Sequence, residues 1–275
     1  MMDTSFQVLS PSLQPPFTCA LVSGGGGGIG KALSSYLISK GIKVIIAGRT
    51  ESNLQTTAHE IGAADYYILD RGNTASIPAF ILWVTTEHPE RDCLINNAGV
   101  QRPLEIFKTP TSEFLQKADQ EIDINIQGPM HLALSLLEHF KGKPKAAIIN
   151  VSSILGFVPF SVIINLVYNG TKAWLHFWSV NLRTQIAWAG LAEEIKVIEI
   201  APISVETDLH REREDPNDNK KRNSSNVMSI EEFRDEVSRK LEGAEEMVAP
   251  GIASGFVDKS YAAYGETYEK MTKKT

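Results

Sequence analysis

Five consecutive glycines, Gly24 to Gly28, stand between an apolar run and a helix-like run, and they limit what this chain can become. Residues 18–22 read Thr-Cys-Ala-Leu-Val; after the glycines come Ile29, Gly30 and the amphipathic stretch 31–38. Flexible linkers are also rich in glycine, but a linker is not closed in by a strand on one side and a helix on the other. Glycine lets the backbone take positive φ and lets a phosphate approach where a Cβ would stand in the way. The helix start then offers free N–H groups to a negative charge. The G-x-G-x-x-G dinucleotide fingerprint is satisfied here because the five glycines are contiguous.

Short apolar runs recur along the chain at 18–22, 43–47, 66–69, 93–95, 146–151 and 196–200. They do not alternate with polar residues, as expected of parallel strands covered on both faces. Helix-length stretches separate them at 30–40, 54–61, 75–86, 112–140 and 167–188. This repetition predicts an α/β fold, a Rossmann-type doubly wound parallel sheet in three layers. A chain of 275 residues suits one such domain. The expected organisation is an extended leader at 1–16, the domain at 17–265 and a tail at 266–275. Residues 210–229 are charged and almost without apolar side chains. They follow a strand's carboxyl end, where ligands bind in open α/β sheets, so a mobile substrate lid is expected near 206–243.

Composition excludes several classes. A net charge of −6 argues against a nucleic-acid partner. Cys19 and Cys93 are the only cysteines, so no disulfide framework exists. The six histidines lack the spacing and companions of a metal site, and no metal is expected. No apolar run approaches the ~18 residues of a membrane span, and no signal sequence is visible. A soluble, cytoplasmic protein is the expectation.

Two features carry chemistry. The second strand ends in Ala47-Gly48-Arg49-Thr50, without the acidic residue that would bind a ribose 2′-hydroxyl. A guanidinium there can pair with a 2′-phosphate, so NADP(H) is expected in preference to NAD(H). Tyr168 and Lys172 lie four apart on one helix face. A cation beside a phenol favours the phenolate and is expected to lower the Tyr168 pKa.

The pattern Ser23-Gly24-x-x-x-Gly28-Ile29-Gly30 resembles the glycine motif of the short-chain dehydrogenase/reductase family. Asn96-Asn97-Ala98-Gly99, Asn125, Ser152-Ser153, Tyr168-x-x-x-Lys172 and Pro202-x-x-Val205-x-Thr207 extend the resemblance over about 17–260. Segments 150–159, 167–172 and 198–202 and the tail from Glu232 to Gly251 resemble the DltE-like oxidoreductase branch of that family. The resemblance implies hydride transfer between a nicotinamide and a carbonyl or secondary alcohol. It casts Tyr168 as proton donor and Ser153 as the group that orients the substrate oxygen. Lys172 tunes Tyr168 and binds ribose, and Asn125 holds a helix kink and a water in the proton relay. Cofactor contacts would come from Gly24, Gly28, Ile29, Gly30, Arg49, Asp70 (to adenine), Asn97, Tyr168, Lys172, Val205 and Thr207. The resemblance also implies a homo-dimer or homo-tetramer, with Trp174, Phe177, Trp178 and Trp188 offering an interface along their helix.

Two positions depart from the family pattern. Ser153 and Tyr168 are fifteen residues apart, about two more than is usual, and Ile203 replaces a glycine. The apolar segment 157–167 suggests a hydrophobic substrate. Two other readings keep the fold: non-redox chemistry such as dehydration or cyclisation, and a dinucleotide sensor without turnover.

Overall fold

The computed structural model describes residues 15–158 and 165–272. Most of the expected leader, the centre of the apolar segment 157–167 and the last three positions of the expected tail lie outside the described residues. The strands are β1 (Cys19–Ser23), β2 (Lys43–Gly48), β3 (Asp65–Ile68), β4 (Cys93–Asn96), β5 (Ala146–Val151), β6 (Ile195–Ile200) and β7 (Met247–Val248). All pair in parallel, in the order β3-β2-β1-β4-β5-β6-β7. The order reverses direction at β1, and that switch point opens a crevice at the strands' carboxyl ends.

Successive residues of one strand feed different cores. Ala20, Val22, Val44 and Ile46 pack with Leu33 and Leu37 of α1 (Gly28–Ser39) and with Phe233 of α7 (Ile230–Glu242). Leu21, Ile45, Leu94 and Ile148 pack with the opposite helix layer. That layer includes Phe80 of α3 (Ile77–Glu87), Leu132 and Phe140 of α5 (Gly128–Lys141), and Leu182 of α6 (Leu166–Trp188). Two buried faces explain why the strand sequences carry no polar alternation. α2 (Glu51–Ile61) buries Leu54 and α4 (Thr111–Ile122) precedes α5. Cys19 and Cys93 are buried and unbonded, and burial pushes the Cys19 thiol up to about 12.

Three details differ from the sequence reading. The stretch 112–140 is not one regular helix: residues Asp123–Gln127 adopt a π-helical turn between α4 and α5. The cause is legible, because Pro129 has no N–H to give the carbonyl of Asn125 four residues earlier. No break in secondary structure marks 265/266, since α8 (Ala253–Thr272) runs unbroken through it. Its Tyr268 hydroxyl reaches Val180 and Thr184 of α6, which ties the last turns of α8 down. Finally, α7 and β7 were not among the expected elements. Among the described residues, no helix is long and apolar enough to cross a membrane, and no cluster of His, Cys, Asp or Glu could hold a metal ion.

Candidate active site

A cleft of about 900 Å³ lies over the carboxyl ends of the strands. One half is built on the glycine turn. Gly24 has φ +70°, and a Cβ there would come within 2.7 Å of the Ala98 Cα. A Cβ on Gly30 would stand 2.2 Å from the Gly24 carbonyl oxygen, so only glycine lets α1 start this close to β1. The turn is stitched to the end of β4: Ser23 Oγ accepts the Asn97 backbone N–H at 3.1 Å, and Asn97 Nδ2 donates to the Ser23 carbonyl at 3.0 Å. No side chain caps the start of α1, and Gly26, Gly27, Gly28 and Ile29 face the cleft. Thr207 abuts Gly28 from across the opening, and Val205 lines the cleft beside it.

Arg49 stands exposed on the rim, and among the described residues it forms no hydrogen bond or ion pair. Neighbouring Glu51 is turned to Gln55 rather than to Arg49. Asp70 lines the same end and accepts the Gly72 N–H at 3.0 Å. A glycine cradle, an uncapped helix start and an unpaired guanidinium together fit a phosphate-bearing dinucleotide.

The other half holds Ser153 and Tyr168, which both line the cleft. Ser153 follows β5, and its Oγ accepts the Leu155 N–H at 3.1 Å. The hydroxyl hydrogen is thereby left to be donated elsewhere. Lys172 lies beneath, with Nζ 5.5 Å from the centre of the Tyr168 ring and donating to the Val151 carbonyl at 2.8 Å. Three expected site residues do not form the cleft wall. Gly30 packs behind the turn, and Lys172 and Asn125 are buried under the floor. Asn125 sits within the π-helical turn. Both its amide hydrogens are committed, to the Val100 carbonyl at 2.9 Å and the Thr171 hydroxyl at 3.1 Å, and its Oδ1 accepts the Val100 N–H.

The electrostatics reverse the expected sign at Tyr168. Burial holds the phenol well above its ordinary pKa, and Glu121 adds to that, while Arg213 opposes it. Lys172 is itself pushed down to about 7, first by burial and then by the Arg71 guanidinium; Glu121 and Glu199 pull the other way. The cation is one turn away, as the spacing required, but both groups are dry. Loss of solvation is the largest influence on each.

Several residues in and around this site carry no motif. Glu121 of α4 is fully buried, and burial raises its carboxyl to about 8. The segment 208–227 crosses the cleft mouth and is pinned by polar bonds despite its charge. Arg213 donates to Gln101, to Asp218 and, at 3.0 Å, to Asn165 Oδ1, while Asn219 Nδ2 reaches the carbonyls of Val205 and Thr207. Its high polarity was the sequence signal; the partners lie up to 112 positions away and left none.

Comparison with known proteins bears on this geometry. Residues 18–218 match the short chain dehydrogenase family model. An uncharacterized oxidoreductase, DltE, of Bacillus subtilis (strain 168) is 33% identical over 251 residues, covering 91% of this chain and 95% of its own. A short-chain dehydrogenase from Sphingobium yanoikuyae, solved in complex with NADPH, superposes with a TM-score of 0.76 at 22% identity, over 92% of this chain and 95% of that one. A bulky-bulky ketone specific alcohol dehydrogenase from Comamonas testosteroni gives 0.72 at 20% identity, over 92% and 94%. At such identities the solved structures speak for the fold alone.

Proposed function

Since this chain belongs to the short-chain dehydrogenase family, we propose that it is an NADP(H)-dependent oxidoreductase acting on a carbonyl or secondary alcohol. The observation that carries the reading is the shared cleft. A glycine turn at an uncapped helix start, with a free arginine on its rim, opens onto the same space as Ser153 and Tyr168. Gly24 to Ile29, Thr207 and Val205 would hold the dinucleotide, Asp70 its adenine, and Arg49 a 2′-phosphate. Bound there, the nicotinamide supplies or accepts the hydride.

The chain's own residues handle the proton. With its pKa raised by burial, Tyr168 is a protonated phenol at neutral pH, so it is poised as an acid in the direction of reduction. Ser153 keeps a hydroxyl hydrogen to donate to the same substrate oxygen. Near its pKa of about 7, Lys172 can exchange a proton at Nζ and restore the phenol. The Asn125 side chain is committed, so its part is to fix the π-helical turn; any relay there uses the backbone carbonyl that Pro129 leaves without its helical donor. Leu155, Ile203, Ile252 and Phe256 make an apolar wall, which suits a hydrophobic flank on the substrate.

The test is fluorescence titration of the purified protein with NADPH and with NADH, repeated on Arg49→Ala. NADPH is expected to bind more tightly than NADH, and the variant to lose about 10–100-fold in NADPH affinity with little change for NADH. Equal loss for both cofactors would sink the role of Arg49, and binding of neither would sink the reading of the glycine turn.

A further inference from the structure

Glu199 of β6 is fully buried, and its two carboxylate oxygens are taken by different elements. Oε1 accepts the hydroxyl of Ser152, the residue after β5. Oε2 lies 2.9 Å from Nδ1 of His176, on α6. A carboxylate only accepts, so the imidazole Nδ1 carries the hydrogen and donates it. The ring of His176 stands 4.0 Å, centre to centre, from Phe157 in the turn after Ser153. That turn is pressed against α6, where a Cβ on Gly156 would lie 2.7 Å from the Lys172 carbonyl oxygen.

A buried carboxylate costs more than an aliphatic side chain of the same size, and packing alone does not call for one. This one spans the gap between the strand end that leads to Ser153 and the helix that carries Tyr168 and Lys172. On either side of Ser153 the backbone is also fixed, by Ser152 N–H to the Ile200 carbonyl at 2.8 Å and Ile154 N–H to the Pro202 carbonyl at 3.0 Å.

We propose that Glu199 is a positioning residue for the Ser153–Tyr168–Lys172 site, clasping the end of β5 to α6 through Ser152 and His176. The proposal rests on the reading of those three residues as the reacting groups. The groups facing the carboxylate are Ser152 from the end of β5, His176 and Lys172 from α6, and Tyr261 from α8, with Arg183 beside Tyr261. Its negative charge favours the protonated form of Lys172. Removing it therefore slackens the place of Ser153 and makes Lys172 release its proton more readily.

The test uses the NADPH-loaded protein and a panel of aromatic ketones and diketones. Glu199→Gln keeps the shape and can hydrogen-bond both partners, so only the charge is lost; Ser152→Ala opens the clasp and leaves the charge. Each is expected to lower kcat about ten-fold with the KM for NADPH unchanged within about two-fold. Glu138→Gln, an exposed carboxylate on α5, serves as the unaffected control. Independently of turnover, NMR of ¹³C-lysine-labelled protein follows Lys172 directly, assigned with Lys172→Arg. Its titration is expected to move to lower pH in Glu199→Gln and to stay in place in Ser152→Ala.

Wild-type kcat in both variants, or an unmoved Lys172 titration in Glu199→Gln, overturns the proposal. Full turnover in Tyr168→Phe overturns the functional reading instead. In that case the Lys172 titration still decides whether Glu199 acts on its neighbour.

Discussion

Lys172 is the residue at which the proposed function and stability pull in opposite directions. Its ammonium is buried, without a carboxylate in contact, and its pKa falls from the ordinary 10.5 to about 7. At about 1.4 kcal/mol per pH unit, keeping this lysine charged costs the fold about 4–5 kcal/mol. Replacing it with methionine removes that cost and fills much the same volume. The bond to Val151 is lost as well, which returns about 1–2 kcal/mol. The variant should therefore be more stable than the wild type by about 3 kcal/mol at neutral pH, or about 5–10 °C in Tm for a chain of this size.

The pH dependence has a definite sign. Below about pH 7 the lysine is protonated in both the unfolded and the folded chain, and the cost is present in full. Between about 7 and 10.5 the unfolded chain binds more protons than the folded one, so wild-type stability climbs with pH. The advantage of Lys172→Met should accordingly be greatest at or below pH 7 and should fade as pH approaches 10.5. Urea unfolding of the cofactor-free proteins at several pH values measures this, and ketone reduction by the variant with NADPH supplied should be abolished. A variant no more stable than the wild type at pH 6, or an advantage flat in pH, would refute the reasoning.

Three other substitutions test separate parts of the site. Tyr168→Phe should lose about 10²–10⁴-fold in turnover while NADPH affinity, read by fluorescence, stays within about two-fold. Gly30→Ala drives a Cβ into the Gly24 carbonyl and should destabilise the fold by about 3 kcal/mol or more, with weaker NADPH binding; a Tm within about 1 °C of wild type would contradict the close approach of α1 to β1. Arg213→Ala removes the bonds that hold segment 208–227 to Gln101 and Asn165. It should speed amide hydrogen exchange there without changing global Tm by more than about 2 °C.

The elements that could be read from the sequence are those whose physics is local. β5 shows as an apolar run because both faces of the strand are covered, and the glycine turn shows because Gly24 and Gly30 have no substitute at their contacts. α7 was missed although Ser229 and Glu232 spell a capping box, which the structure forms in both directions. β7 has two residues and leaves no periodicity to find. The site divides in the same way. Tyr168 and Lys172 meet because they are one helical turn apart, but Glu199 meets Ser152 and His176 across 47 and 23 positions. Only the assembled sheet brings those three together. The sign of the Tyr168 shift has the same origin. A neighbouring cation can be counted from spacing, whereas desolvation depends on everything packed around the phenol, from Glu121 on one helix to Arg213 in the segment over the cleft. The same burial lowers the lysine that was to have lowered the tyrosine. The motif therefore identifies two titratable groups that the helix brings together, and the depth at which the fold places them decides the direction in which each one's pKa moves.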